Sequence, residues 1–124
     1  MIVRCVQIIS PTSGEVVNDH PGIRVGVEYP VLEVITTASR VLLRIPERPD
    51  VLVERDSPGL WDAAMFTVVS GRMPDCWVAG LEDGQVTLAP KEWQRSDFWE
   101  DYFDDEPSAG AEYERLRAKV LSQA

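Results

Sequence analysis

Cys76-Trp77-Val78-Ala79 and Gln85-Val86-Thr87-Leu88, separated by a tip of Glu82-Asp83-Gly84, form the stretch that decides the fold. Two short apolar runs flank an Asp-Gly pair. Glycine takes the positive φ that a tight hairpin turn demands, so the stretch reads as an antiparallel hairpin. A hairpin needs partners to bury its apolar side, and the sequence supplies them toward the N-terminus. Phe66-Thr67-Val68-Val69, Val51-Leu52-Val53-Glu54, Val41-Leu42-Leu43-Arg44-Ile45 and Ile2 through Ile9 are further short strands. Asp56-Ser57-Pro58-Gly59, Pro46 with Pro49, and Pro11-Thr12-Ser13-Gly14 punctuate them as turns. Val25, Val27 and Tyr29 alternate with Arg24, Gly26 and Glu28, the period of two of a half-buried strand, and Pro30 places that strand at an edge or a bend. Trp61-Asp62-Ala63-Ala64-Met65-Phe66 reads as a single helical turn, and residues 10–22 as a connection. Many short strands at this spacing predict a small barrel or sandwich.

Beyond the hairpin the period changes. Pro90 fits a first helical turn, where its missing N–H costs nothing. Ser96 is the expected N-cap of a helix over 97–104, Pro107 interrupts the chain, and a last helix is expected over 108–123. Tyr113, Leu116 and Val120, spaced i, i+3, i+7, make a narrow apolar stripe, with Glu112–Arg115 and Glu114–Arg117 pairs on the polar side. The fold class expected is therefore mainly β with helices (α+β): one domain over 1–124, a small partly open barrel over 1–89 and a helical extension over 90–124.

The chain of 124 residues carries 21 acidic and 12 basic side chains, a formal net charge of −9. Such a charge repels nucleic-acid phosphates and anionic lipid and attracts basic partners. The arginines at 4, 24, 40, 44, 48, 55 and 72 are scattered among acids and form no basic stripe. No apolar run reaches the length of a membrane span and no secretory leader is read at the start, so the expected compartment is the cytoplasm. Cys5 and Cys76 have no metal or redox spacing and read as buried free thiols, with a disulfide between them as the alternative that sequence leaves open. The single histidine, His20, sits in a loop beside Pro21 with nothing near it in sequence to orient it as a base. No phosphate-binding glycine loop, nucleophile elbow or zinc pattern occurs, and Asp104-Asp105-Glu106 lacks the alternating ligands and central glycine of a calcium loop. No catalytic residues, metal site or cofactor are therefore expected.

One segment combines charge with aromatic mass. Residues 97–106, Asp-Phe-Trp-Glu-Asp-Tyr-Phe-Asp-Asp-Glu, hold six acids, no base and four of the ten aromatic residues. On a helix, Phe98, Trp99, Tyr102 and Phe103 fall on one arc and Asp97, Glu100, Asp101 and Asp104 on the opposite one. The aromatic arc is the docking side of an amphipathic helix. The acidic arc repels itself, and a surface selected for stability alone more often interleaves charges. Asp97, Glu100, Asp101, Asp104, Asp105 and Glu106 are thus the candidate surface for a basic protein partner, steering its approach.

Three stretches together resemble a known family: Ile2-Val3-Arg4-Cys5-Val6; Ile23-Arg24-Val25-Gly26-Val27-Glu28-Tyr29-Pro30-Val31-Leu32; and Pro58-Gly59-Leu60-Trp61-Asp62-Ala63-Ala64-Met65-Phe66-Thr67-Val68-Val69. Over about residues 1–70 the arrangement is similar to small bacterial SH3-like barrel proteins, some of which look like immunity proteins encoded beside secreted toxins. The chain departs from that pattern at Ala64-Met65, where the family's closing motif has a proline, and at Pro30 directly after the tyrosine. The resemblance implies an SH3-like barrel and a non-enzymatic immunity role, in which the acidic segment would block a cognate toxin, a basic nuclease or other secreted effector. A regulatory or adaptor module using a free strand edge, and a small enzyme using paired carboxylates, are the alternative readings.

Overall fold

A computed structural model describes residues 1–47 and 56–124; the strand expected at Val51-Leu52-Val53-Glu54 lies outside them. The architecture is mixed α+β. Antiparallel strands form three sheets and two helices follow at the C-terminal end. Among the described residues no sheet closes into a barrel. The largest sheet has the order β7-β6-β5-β10-β9, from β5 (Glu33–Thr36), β6 (Val41–Ile45), β7 (Gly59–Asp62), β9 (Trp77–Glu82) and β10 (Gln85–Pro90). A second has the order β4-β1-β8, from β1 (Ile2–Cys5), β4 (Glu28–Pro30) and β8 (Phe66–Ser70). The third pairs β2 (Ile8–Ile9) with β3 (Val16–Val17).

The hairpin forms as its sequence predicts. Asp83 and Gly84 both have positive φ, 52° and 74°, the two-residue turn whose twist matches the strands. The helical turn expected near Trp61 is a 3₁₀ turn at Ala63–Met65, capped by the Asp62 carboxylate accepting from the Ala64 N–H.

Two predicted strands are corrected. The run from Ile2 to Ile9 breaks after Cys5: the Val6 and Gln7 N–H groups both donate to the Met65 carbonyl, and β2 leaves for another sheet. The alternating stretch around Val25 is a turn, not a strand. Gly26 adopts φ +88°, its N–H donates to the Cys5 carbonyl, and Val25 and Val27 stay exposed while Tyr29 alone is buried. Pro30 ends β4 at an outer position of its sheet, as its missing donor requires. Within the expected connection over 10–22, Val16–Val17 forms a short strand instead.

Register decides what each face of the large sheet carries. Glu33 lies opposite Arg44 and Ile35 opposite Thr87, so these side chains share a face. Residues 91–103 cover that face, and one hydrophobic cluster runs from Val3 through Leu43 to Trp93, Tyr113 and Val120. Helix α2 (Pro107–Ser122) buries the predicted stripe, Tyr113, Leu116 and Val120. Arg117 turns inward rather than toward Glu114: its Nε lies 3.3 Å from buried Asp56.

Candidate functional site

The acidic segment becomes helix α1 (Phe98–Phe103) and the turn that follows it. Its N-cap position is Asp97, one residue later than expected, and no side chain caps it. Burial of the aromatic side sets the helix in place. Phe98 and Tyr102 are buried, and Trp99 touches the rings of Trp93, Phe98, Tyr102, Phe103 and Tyr113. Such ring pairs add stabilisation beyond area burial. Phe103 departs from the predicted inward arc and is 42% exposed, directly beside the acids.

A polar anchor fixes both helices to the loop before β7. The Asp56 carboxylate accepts from the Tyr113 hydroxyl, from Arg117 Nε and from the Glu47 N–H, and its backbone carbonyl accepts from the Tyr102 hydroxyl. Burial and the adjacent carboxylate push the Tyr113 phenol well above the usual tyrosine range. Beneath Trp99, Arg44 lies 3.9 Å from the ring centroid and its Nε donates to Glu33 at 2.7 Å. Burial raises the Glu33 carboxyl above the ordinary carboxylate range despite this arginine. These buried charges are paired and bonded, so they hold the helical face at fixed height over the sheet.

The six predicted contact residues do not act as one set. Arg95, just outside the helix, reaches two of them, with Nη1 2.8 Å from Asp97 and 2.9 Å from Asp101. The pattern reading assumed no base near the acids; the turn at 95–97 brings one back onto the helix. Glu100, Asp104, Asp105 and Glu106 are exposed, and among the described residues Glu100, Asp104 and Glu106 make no ion pair. Asp105, at φ 63°, turns the chain so that Pro107 can start α2 at its first position.

Sequence reasoning missed the groove beside this turn. Tyr102, Asp105, Glu106, Pro107, Gly110 and Glu114 are among the residues lining a hollow of about 510 Å³. Gly110 is in the interior of α2, and a Cβ added there would meet nothing within 4 Å. A helix-interior glycine costs about 1 kcal/mol against alanine. Nothing in the local packing requires it, and its absent side chain leaves the groove floor open. The Gly at that spacing was visible in the sequence, but only the turn at Asp105 shows what it borders.

Among the described residues, no group of His, Cys, Asp and Glu side chains is placed to hold a metal ion, and no helix is long and apolar enough to cross a membrane. Cys5 is buried as expected, whereas Cys76 is half-buried; both are free thiols. His20 stacks edge-on against Trp61, and its Nδ1 accepts from the Gly22 N–H. Comparison of the chain with protein-family models, with curated proteins and with solved structures finds no match.

Proposed function

We propose that this is a non-enzymatic, immunity-type binding protein that acts in the cytoplasm and neutralises a basic toxin, a nuclease or other secreted effector. The observation that carries the reading is the exposed ridge of Glu100, Asp104, Asp105 and Glu106 beside the half-exposed ring of Phe103. Acids steer a basic partner, and an aromatic anchor next to them supplies short-range affinity. The ridge stands on a base of buried aromatic rings and the Asp56 anchor, so little ordering is needed on binding. The likeness of residues 1–70 to small SH3-like bacterial proteins supports the same reading, with the two larger sheets as halves of a partly open barrel.

The test is capture of partners on the tagged protein, washed at low and then high salt, followed by association kinetics. A basic protein released by salt is expected. Reversing Glu100 and Asp104 to lysine should slow association about tenfold at low salt and flatten its salt dependence. Unchanged kinetics would reduce the ridge to a solvated helix face.

A specific observation favours a second reading, an adaptor that receives a partner strand. Among the described residues, strand β8 lies at the outer side of its sheet, has no charged residue, and exposes Val68 at 59% and Val69 at 44%. Such an edge is a template for strand addition. Val68→Lys would abolish capture under that reading and leave it intact under the first.

A further inference from the structure

The β9 edge of the large sheet is open, and both of its ends are fixed. Among the described residues β9 pairs only with β10 and is the last strand in the order. The two-residue turn makes Glu82 and Gln85 a hydrogen-bonded pair, so Gly80 and Val78 also turn their backbone groups toward β10. Ala79 and Leu81 turn theirs to the open side. Neighbouring bonds agree with this phase. Val86, opposite Leu81, exchanges bonds with the Thr36 hydroxyl on the β5 side, and Pro90, opposite Trp77, stands where no N–H is needed. The Trp77 N–H donates to the Pro74 carbonyl, which closes the edge at one end, and the turn at Asp83 closes it at the other. The open segment is therefore 78–82, with Gly80 at its middle. Leu81 is 77% exposed, and Val78 and Ala79 are exposed beside it. The strand has no proline or lysine to blunt the edge, and its single charge, Glu82, is its last residue.

We propose that β9 pairs antiparallel with β9 of a second copy of this chain, joining two large sheets into one. Full overlap of 78–82 with itself puts the two-fold axis at Gly80. Ala79 then exchanges backbone bonds with the second copy's Leu81, and the large leucine side chain lies over the small alanine on the same face. Gly80 meets Gly80 as the closer, non-hydrogen-bonded pair, and the Gln94 carbonyl oxygen over each one stands in the place of a side chain. A chain of net −9 repels its own copies wherever acids meet. Here they do not: 78–81 is uncharged, and the two Glu82 residues end about 13 Å apart along the strands, beyond the ~8 Å screening length at physiological salt. Asp83 stops beside the second copy's 74–76 turn, a patch of mixed charge where Lys119, Glu92 and Asp75 act on Cys76. A basic partner finds no carboxylate within 78–81, whereas the segment matches itself in length, polarity and side-chain size.

The pairing uses no residue of the acidic ridge, so either can fail without the other. Sedimentation equilibrium from micromolar to millimolar concentration is the test, and a reversible monomer–dimer equilibrium is expected. Leu81→Lys changes an exposed side chain, leaves the circular dichroism spectrum of the fold unchanged, and should weaken association about a hundredfold, because each dimer loses two copies of the leucine. Val68→Lys, on the edge of the other sheet, should leave association intact. In a mixed-label NMR sample the Gly80 α-protons should show an intermolecular contact, which only this register gives. A monomer throughout the range, a dimer that survives Leu81→Lys, or one lost with Val68→Lys would overturn the proposal.

Discussion

Gly110 gives the groove beside the acidic turn a test in which stability and binding move in opposite directions. Replacing it by alanine removes the propensity cost of a helix-interior glycine, about 1 kcal/mol. The added methyl meets nothing within 4 Å, so no packing penalty offsets that gain. For a chain of this size, 1 kcal/mol raises Tm by about 4 °C. Gly110→Leu keeps most of the helical gain and fills the groove between Asp105, Glu106 and Glu114 without altering any charge. Thermal unfolding by circular dichroism measures the first effect. The second is read as the affinity of Gly110→Leu for the partner recovered by salt-sensitive capture, expected to fall about tenfold, or ~1.4 kcal/mol. A fall in Tm for Gly110→Ala would show that the helix itself needs the glycine. A more stable Gly110→Leu with full affinity would show that the partner never enters the groove.

Asp56→Ala strips the acceptor from Tyr113 and Arg117 and should cost about 3–5 kcal/mol in urea unfolding; a loss below about 1 kcal/mol would mean the helices are held by apolar packing alone. Tyr113 should add an alkaline limit. Its folded value is raised, so its contribution is complete below the ordinary tyrosine range and is lost as pH climbs past about 10; Tyr113→Phe should remove that decline. Glu33 is also raised, so its contribution is present below about pH 4.3 and lost as pH rises through its folded value. The stability of the wild type relative to Glu33→Gln should therefore fall from acid to neutral pH, and a rise would mean that Arg44 outweighs burial. Gly80→Ala should displace the Gln94 side chain and break its two bonds to Val78 and Ala89, costing about 1–3 kcal/mol in chemical unfolding; a neutral result would show that Gln94 shifts without loss.

Local signals in the chain fixed some elements before any tertiary contact was known. Asp83-Gly84 determined the hairpin, because only residues that accept positive φ make so tight a turn. The spacing of Tyr113, Leu116 and Val120 determined the buried side of α2, because helical period places them on one stripe. The inward side of 97–104 was legible at Phe98 and Tyr102 but not at Phe103, which is exposed. Tertiary structure decided the rest. Whether Val25 and Val27 belong to a strand depended on the backbone bonds that Gly26 and Val27 make with Cys5, and alternation carries no information about those. Asp56 is one of 21 acids in the sequence; Tyr113 and Arg117 of α2 and the Glu47 N–H converge on its carboxylate only after folding. Arg95 looks remote from Asp101 by helical spacing and reaches it because the chain bends before α1 begins. Periodicity determines which side of an element is apolar. Which charges are paired, and which cavities stay open, is set by contacts between residues far apart in the chain.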